Sequence, residues 1–280
     1  MILPTWALTL TSAFIASPTQ AAPVQKVHSH NDYLQAVPLI TALNTGVTSV
    51  EADLWLQDGS LFVAHTENEI DTSKTFDSLY VQPLVKLIDE QTYGDLFTQD
   101  NPLQLLIDFK SDGDDSFAPI LAALEPLRSK GYLTTFKDGV YTTSFVTAVG
   151  TGNTPLGRVL ASNPRDLFFD AHLTDIAANP PAQGLVWSKE ISPMASADFQ
   201  DAVGILNWLA AQIGIVTDGT TNALKKLIGD AHQFDGVKSR FYGTPNRDSV
   251  NIAIIKEGSD WINADDLQHV TDLLEQNSSS

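Results

Sequence analysis

The chain has 280 residues, 43% of them hydrophobic and 18% charged, enough apolar material for one large α/β barrel or two small domains. Its formal net charge of −18, spread without long blocks of like charge, excludes nucleic acid and anionic membrane as sequence-independent partners, since both require basic patches. It has no cysteine, so disulfides and thiolate zinc sites are excluded, and any metal must be held by histidine or carboxylate oxygen.

Residues 1–22 predict a secretory leader. An uncharged apolar centre is followed by small residues, with Ala21 or Ala22 as the cleavage point, although no Lys or Arg precedes the apolar run. Pro18 and its polar neighbours cut that run too short for a transmembrane anchor, and no later segment spans a bilayer. The single N-x-S/T site is Asn277, in the tail "NSSS". The mature domain is predicted over 23–277.

Within it, short apolar runs alternate with helical patterns. "VQKVHSH" predicts the first strand and "AVPLITALNTG" a helix closed by Gly46. "TSVEADLWL" predicts the second strand, turned by Asp58-Gly59 into "SLFVAH". "YVQPLVKLIDEQ" reads as a helix, "LQLLIDF" as the third strand and "SFAPILAALEPLRSKG" as an amphipathic helix. Strands four to six are assigned to "SFVTAVG", "DLFFDAHL" and "GLVWSKEI", and a long helical region covers "SADFQDAVGILNWLAAQ" and "TNALKKLIGDAHQF". "VKSRFYG" and "DWINAD" are the last two strands, separated by the helical "RDSVNIAIIKEG". Eight strands alternating with helices predict a single-domain (β/α)8 TIM barrel, with chemistry at the C-terminal ends of its strands.

The polar residues that interrupt apolar runs fall at those ends. Glu51 and Asp53 are two apart on a strand, so both carboxylates face the same way, and burying them unpaired is costly. Asp108 inside "LLIDF" supplies a third carboxylate from the next strand. Any one of these acids suits a solvated rim; the three together predict a site for a divalent cation, Mg2+ or, as the alternative, Ca2+. His30 and His65 end their strands on either side of that site, a pair suited to taking and giving a proton near neutral pH. His28 shares the face of His30 one layer deeper, in support. Lys110 shares the face of Asp108, either to balance charge or to meet a phosphate. His172, His232 and His269 read as structural or surface residues.

At "HSHNDY…VEADLWL…GSLFVAH…LIDFK" the chain resembles the PLC-like phosphodiesterase superfamily of TIM barrels, which includes glycerophosphodiester phosphodiesterases and sphingomyelinases D. Within it the chain is most similar to the "altered inheritance of mitochondria" protein six family, a fungal and bacterial branch. The likeness continues through "SLYVQPL", "SRFYGTPNRDSV" and "GSDWINADDLQ". It implies Glu51, Asp53 and Asp108 as metal ligands, His30 and His65 as catalytic histidines, and Lys110 as the lysine that follows the third ligand in sphingomyelinases D. The chain departs from glycerophosphodiesterases at His30-Asn31-Asp32, where they carry His-Arg-Gly, and from sphingomyelinases D in lacking their loop cysteines and C-terminal tail.

The expected activity is metal-dependent cleavage of a small phosphodiester or lysophospholipid, by hydrolysis or with release of a cyclic phosphate. Arg240, Tyr242, Trp261 and Asn263, at strands seven and eight, are expected to shape the substrate pocket. Two rival readings stand beside this one. "HSH" also opens amidohydrolase-like metal hydrolases, and a degenerate barrel would bind without turnover. The family name mentions mitochondria, but the leader lacks the Arg-rich character of a transit peptide, so export is expected.

Overall fold

The computed structural model describes residues 26–278, and the predicted leader, 1–22, lies outside the described residues. In chain order the elements are β1 (Val27–Ser29), α1 (Ile40–Asn44), β2 (Ser49–Gln57), β3 (Ser60–Val63), α2 (Gln82–Asp89), β4 (Leu103–Phe109), α3 (Gly113–Ala123) and α4 (Glu125–Ser129). They continue with β5 (Thr135–Lys137), β6 (Val140–Thr142), β7 (Val146–Gly152), α5 (Leu156–Ala161), β8 (Leu167–His172), β9 (Met194–Asp198), α6 (Phe199–Val203), α7 (Ile205–Gln212) and α8 (Asp218–His232). β10 (Lys238–Tyr242), α9 (Asp248–Lys256), β11 (Trp261–Ala264) and α10 (Leu267–Ser278) complete the chain.

Eight strands run parallel in the order β1-β2-β4-β7-β8-β9-β10-β11, and β11 pairs with β1 to close the sheet. This is the expected (β/α)8 barrel. Apolar residues on the outer faces of the strands pack under the helices as the main core, while Leu106, Val149, Phe168, Met194 and Trp261 form a separate plug inside the barrel. A small hairpin, β5–β6, lies under that plug and packs Phe136 and Tyr141 against it. Its Asp138-Gly139 turn has positive φ at both residues, the same turn chemistry as Asp58-Gly59. The hairpin stands outside the strands the sequence pattern predicts, although "DG" marks its turn.

Strand six is the clearest correction. "GLVWSKEI" forms no ladder; its Trp187 stacks on Phe169 and donates from Nε1 to the Asn179 carbonyl. The sixth barrel strand is instead "MASAD", Met194–Asp198, paired with β8 and β10. Alanine and serine carry little strand propensity, so this strand exists because both neighbours supply hydrogen bonds and both of its faces are buried. Asp198, within a helical pattern in the sequence, ends the strand and caps α6 by accepting from the Gln200 and Asp201 amides.

The β1–α1 connection is pinned by a buried acid. The Asp32 carboxylate accepts from the Ser29 hydroxyl at 2.7 Å, the Leu39 amide at 2.6 Å and the Tyr80 hydroxyl at 3.0 Å. Leu39 has φ +64° and ψ −52°, with the Ile40 amide donating to the Pro38 carbonyl, so it is the centre of a strained γ-turn. Asp32 holds that turn shut and so fixes the exit of the strand that carries His28 and His30. Replacing Asp32 by Ala leaves a buried amide and hydroxyl without acceptors and is expected to cost about 2–4 kcal/mol in urea unfolding; a change within about 0.5 kcal/mol, the size of a neutral surface substitution, would refute the anchoring role.

Candidate active site

The strand register brings the three acids together. Asp53 on β2 pairs directly with Asp108 on β4, and Glu51 lies two residues earlier on the same face of β2. One carboxylate oxygen from each lies within 4.8 Å of the others. Glycine makes room for the third: Gly152 has φ +61°, and a Cβ there would sit 2.0 Å from Asp108 Oδ1.

Two cations share the space. Lys110 Nζ lies 2.9 Å from Asp53 Oδ2 and 2.5 Å from Asp108 Oδ2. The buried Arg240 has Nη1 3.8 Å from Glu51 Oε1 and donates from Nε to Ser196 Oγ. Burial opposes the charge on Glu51, but Arg240 and the neighbouring His28 and His30 hold its carboxyl well below the usual range. Asp53 behaves oppositely. Burial and the Glu51 charge raise it to about 6, against the pull of Lys110.

His30 and His65 flank this group. His30 Nδ1 lies 2.8 Å from Asp265 Oδ1; because a carboxylate only accepts, Nδ1 carries the proton and Nε2 faces inward, 3.9 Å from Glu51 Oε2. Burial works to lower the His30 pKa, but the Asp265 hydrogen bond and the charges of Glu51 and Asp265 outweigh it and raise it. His65 arrives by the β2–β3 hairpin, whose register places it beside Asp53, with Nδ1 3.3 Å from Asp53 Oδ2. Between the two histidines, the Tyr33 hydroxyl lies 2.8 Å from both Asp53 Oδ2 and Asn31 Oδ1, and its proton serves one at a time. Asn31 takes the left-handed conformation (φ +47°), and its amide donates to Glu51 Oε2.

Other expected residues divide. Arg240, Asn263 and Tyr242 gather at the barrel mouth, with Arg240 Nη1 3.5 Å from Asn263 Oδ1 and its guanidinium over the Tyr242 ring. Trp261 does not join them. It shares the inward face but lies lower, in the apolar plug, with Lys238 Nζ 5.2 Å from its ring centroid. His28 is fully buried, hydrogen-bonded through Nδ1 to Ser49 Oγ, with Nε2 3.5 Å from Glu51 Oε2. Burial, with Arg240 nearby, lowers it to about 4, so it is a neutral ring and its contact with Glu51 is polar rather than ionic. His172 is exposed, and His232 and His269 pair with surface aspartates.

Three contributors escaped the sequence reading. Tyr33 and Asp265 belong to stretches already singled out, "HSHNDY" and "DWINAD", but their partners are remote in sequence. The third is Asp170 in "FDAHL", buried in the barrel with Oδ1 lacking a hydrogen-bond partner among the described residues. Burial raises its carboxyl to about 6, against the attraction of Arg240.

The donor set fits a hard divalent cation. Glu51, Asp53 and Asp108 present carboxylate oxygens around one point, and Asp53 Oδ1 is buried with no hydrogen-bond partner among the described residues.

Comparisons with known proteins identify the family of the chain. The family model described as the AIM6-like phosphodiesterase domain matches residues 18–170. The "altered inheritance of mitochondria protein 6 homolog" of Arthroderma benhamiae is 31% identical over 265 residues, covering 86% of this chain and 81% of that protein. The "altered inheritance of mitochondria protein 6" of Lachancea thermotolerans is 31% identical over 282 residues, covering 89% of this chain and 66% of that one. The crystal structure of a glycerophosphodiester phosphodiesterase from Agrobacterium tumefaciens aligns with 93% of this chain and all of that chain, at 14% identity and a TM-score of 0.44.

Asp170 yields a pH-dependent prediction. Its folded-state pKa, about 6, lies above the ordinary 3.8, so the folded state is favoured by its protonation; that contribution is complete below about pH 4 and lost as pH rises through 6. Between pH 4 and 7 the wild type should therefore lose about 2–3 kcal/mol relative to Asp170→Asn. Denaturant titrations of both proteins across that window check this, and parallel stability curves would sink it.

Proposed function

We propose, since the chain belongs to the AIM6-like phosphodiesterase domain family, that its barrel mouth cleaves small phosphodiesters of the glycerophosphodiester or lysophospholipid type with Mg2+ as cofactor. The observation that carries this reading is the convergence of Glu51, Asp53 and Asp108 within 4.8 Å, flanked by His30 and His65.

Glu51, Asp53 and Asp108 hold the cation, which when bound supplies Lewis-acid stabilisation of the negative charge on the phosphoryl oxygens. Mg2+ is preferred over Ca2+ because three protein carboxylates suit an ion that keeps part of its shell for water and phosphate. Arg240 and Lys110 place positive charge beside the same mouth and orient the phosphodiester anion. The two imidazoles divide the proton work: one takes the proton of the attacking hydroxyl and the other protonates the leaving oxygen. Asp265 positions His30 by fixing its tautomer, and Asp53 and Tyr33 hold His65. The attacking group is a hydroxyl of the substrate or water, giving a cyclic or an open product respectively.

The amidohydrolase reading is less well supported. It needs further histidines at later strand ends, yet His172 is exposed and His232 and His269 pair with aspartates at the surface, and it leaves the Glu51, Asp53 and Asp108 cluster unexplained. The composition of residues 1–22 supports export, and amino-terminal sequencing of protein recovered from the medium should begin near residue 22 or 23.

A panel of lysophospholipids, glycerophosphodiesters and a chromogenic bis-ester tests the activity with and without EDTA. Chelation and Glu51→Gln should each abolish turnover, and His30→Ala and His65→Ala should each lower kcat by about 10²–10⁴-fold. Turnover that survives both chelation and Glu51→Gln would overturn the metal mechanism, and no turnover on any phosphodiester would favour a binding barrel.

A further inference from the structure

The exposed apolar side chains of this protein are not scattered. Residues 199–217, the short helices α6 and α7 with the turn after them, form an excursion between β9 and the long helix α8 that leaves directly from the C-terminal end of β9, on the side of the candidate site. Its far end is tied to the same side: the Gln212 carbonyl accepts from Arg247 Nε and the Gly214 carbonyl from Ser249 Oγ, both at the start of α9, which follows β10.

This excursion presents Ile205, Leu206, Leu209, Ile213 and Ile215 at 53, 79, 51, 72 and 53% exposure. Leu206, Leu209 and Ile213 follow helical spacing, so they form one stripe along α7 and its end. The same face carries exposed Leu34 and Val37 in the β1–α1 connection, and Tyr242 at the end of β10. Among the described residues these are eight of the eleven large hydrophobics that stand exposed, the others being Val140, Leu185 and Val186. An apolar surface of this kind, concentrated on one face, marks an interaction site rather than ordinary scatter.

Charge identifies what it meets. From Ala202 to Thr217 the chain has no ionisable side chain, although the whole protein carries −18. The strip therefore enters an apolar boundary without burying a charge, and the rest of the surface repels anionic headgroups. We propose that the α7 excursion is an interfacial docking element that seats the catalytic face on a net-neutral, phosphocholine-type lipid surface, its aliphatic side chains entering the headgroup–acyl boundary. This rests on the reading of that face as a phosphodiester site, since docking there sets the barrel mouth against lipid phosphodiesters.

Co-sedimentation of the purified full chain with phosphatidylcholine vesicles, in EDTA, reads docking without turnover. The wild type should bind these vesicles, and bind them more tightly than phosphatidylglycerol vesicles at low salt. Leu206→Ser/Leu209→Ser/Ile213→Ser should lower the partition coefficient at least tenfold while leaving turnover of a soluble chromogenic diester unchanged. The double variant Leu206→Ser/Ile213→Ser, at the two most exposed positions, guards against misfolding and should show an intermediate loss. Absence of binding, equal binding by the variants or preference for anionic vesicles overturns the proposal. So does a wild-type dimer that the substitutions convert to monomer, which would assign the stripe to a second copy. Vesicle binding with no turnover of any diester would overturn the proposed activity and leave the docking surface standing.

Discussion

Buried negative charge at the mouth of the barrel is the constraint around which this structure is organised. Glu51, Asp53 and Asp170 are almost wholly buried there and Asp108 nearly so, against the two cations Lys110 and Arg240. Four carboxylates and two cations leave two negative charges uncompensated, the deficit that one divalent cation neutralises. The opposed behaviour of neighbouring carboxyls follows. Glu51, beside Arg240, stays ionised far into acid, while Asp53 and Asp170 are pushed up by burial. A barrel made only for stability would have no reason to accept such strain, and the plug directly beneath, with Leu106, Val149 and Phe168, shows how the same strands pack when charge is absent.

The surrounding polar groups make sense as answers to that charge. Tyr33, the Asn31 amide and His28 all turn toward the carboxylates, and Asp32 clamps the connection that delivers the first of them. The clamp works against backbone strain at Leu39 and Asn31, the kind of strain that persists only when the surroundings over-determine it. The segment "HSHNDYL" is thus a unit in which one acid holds the backbone while two histidines, one amide and one phenol face the site. The guanidinium beside Glu51 comes from Arg240 on β10, two strands away from β1 in the sheet.

The same face joins charge chemistry at its centre to apolar surface at its rim. The two do not conflict, because the carboxylates are recessed inside the strand ends while the α7 stripe stands on an excursion outside them. No helix among the described residues is long and apolar enough to cross a membrane.

Much of the site is legible in one dimension. Acids spaced two apart in an apolar strand must share a face, and histidines that end strands must lie near the rim; those rules alone assembled Glu51, Asp53, Asp108, His30 and His65. The barrel follows from alternation of strand and helix patterns, which is a local property of the chain. What the sequence could not decide was depth, partnership and the strand without a signature. Trp261 obeys the rule for face, yet sits in the plug because height along the barrel axis depends on register across all eight strands. Asp265, Tyr33 and Asp170 look ordinary until folding sets them against His30, Asp53 and Arg240. "MASAD" is a strand because its neighbours make it one. Side-chain periodicity is written in the chain itself, whereas burial, hydrogen-bond partners and charge balance exist only between segments far apart in sequence, so the tertiary structure alone decides them.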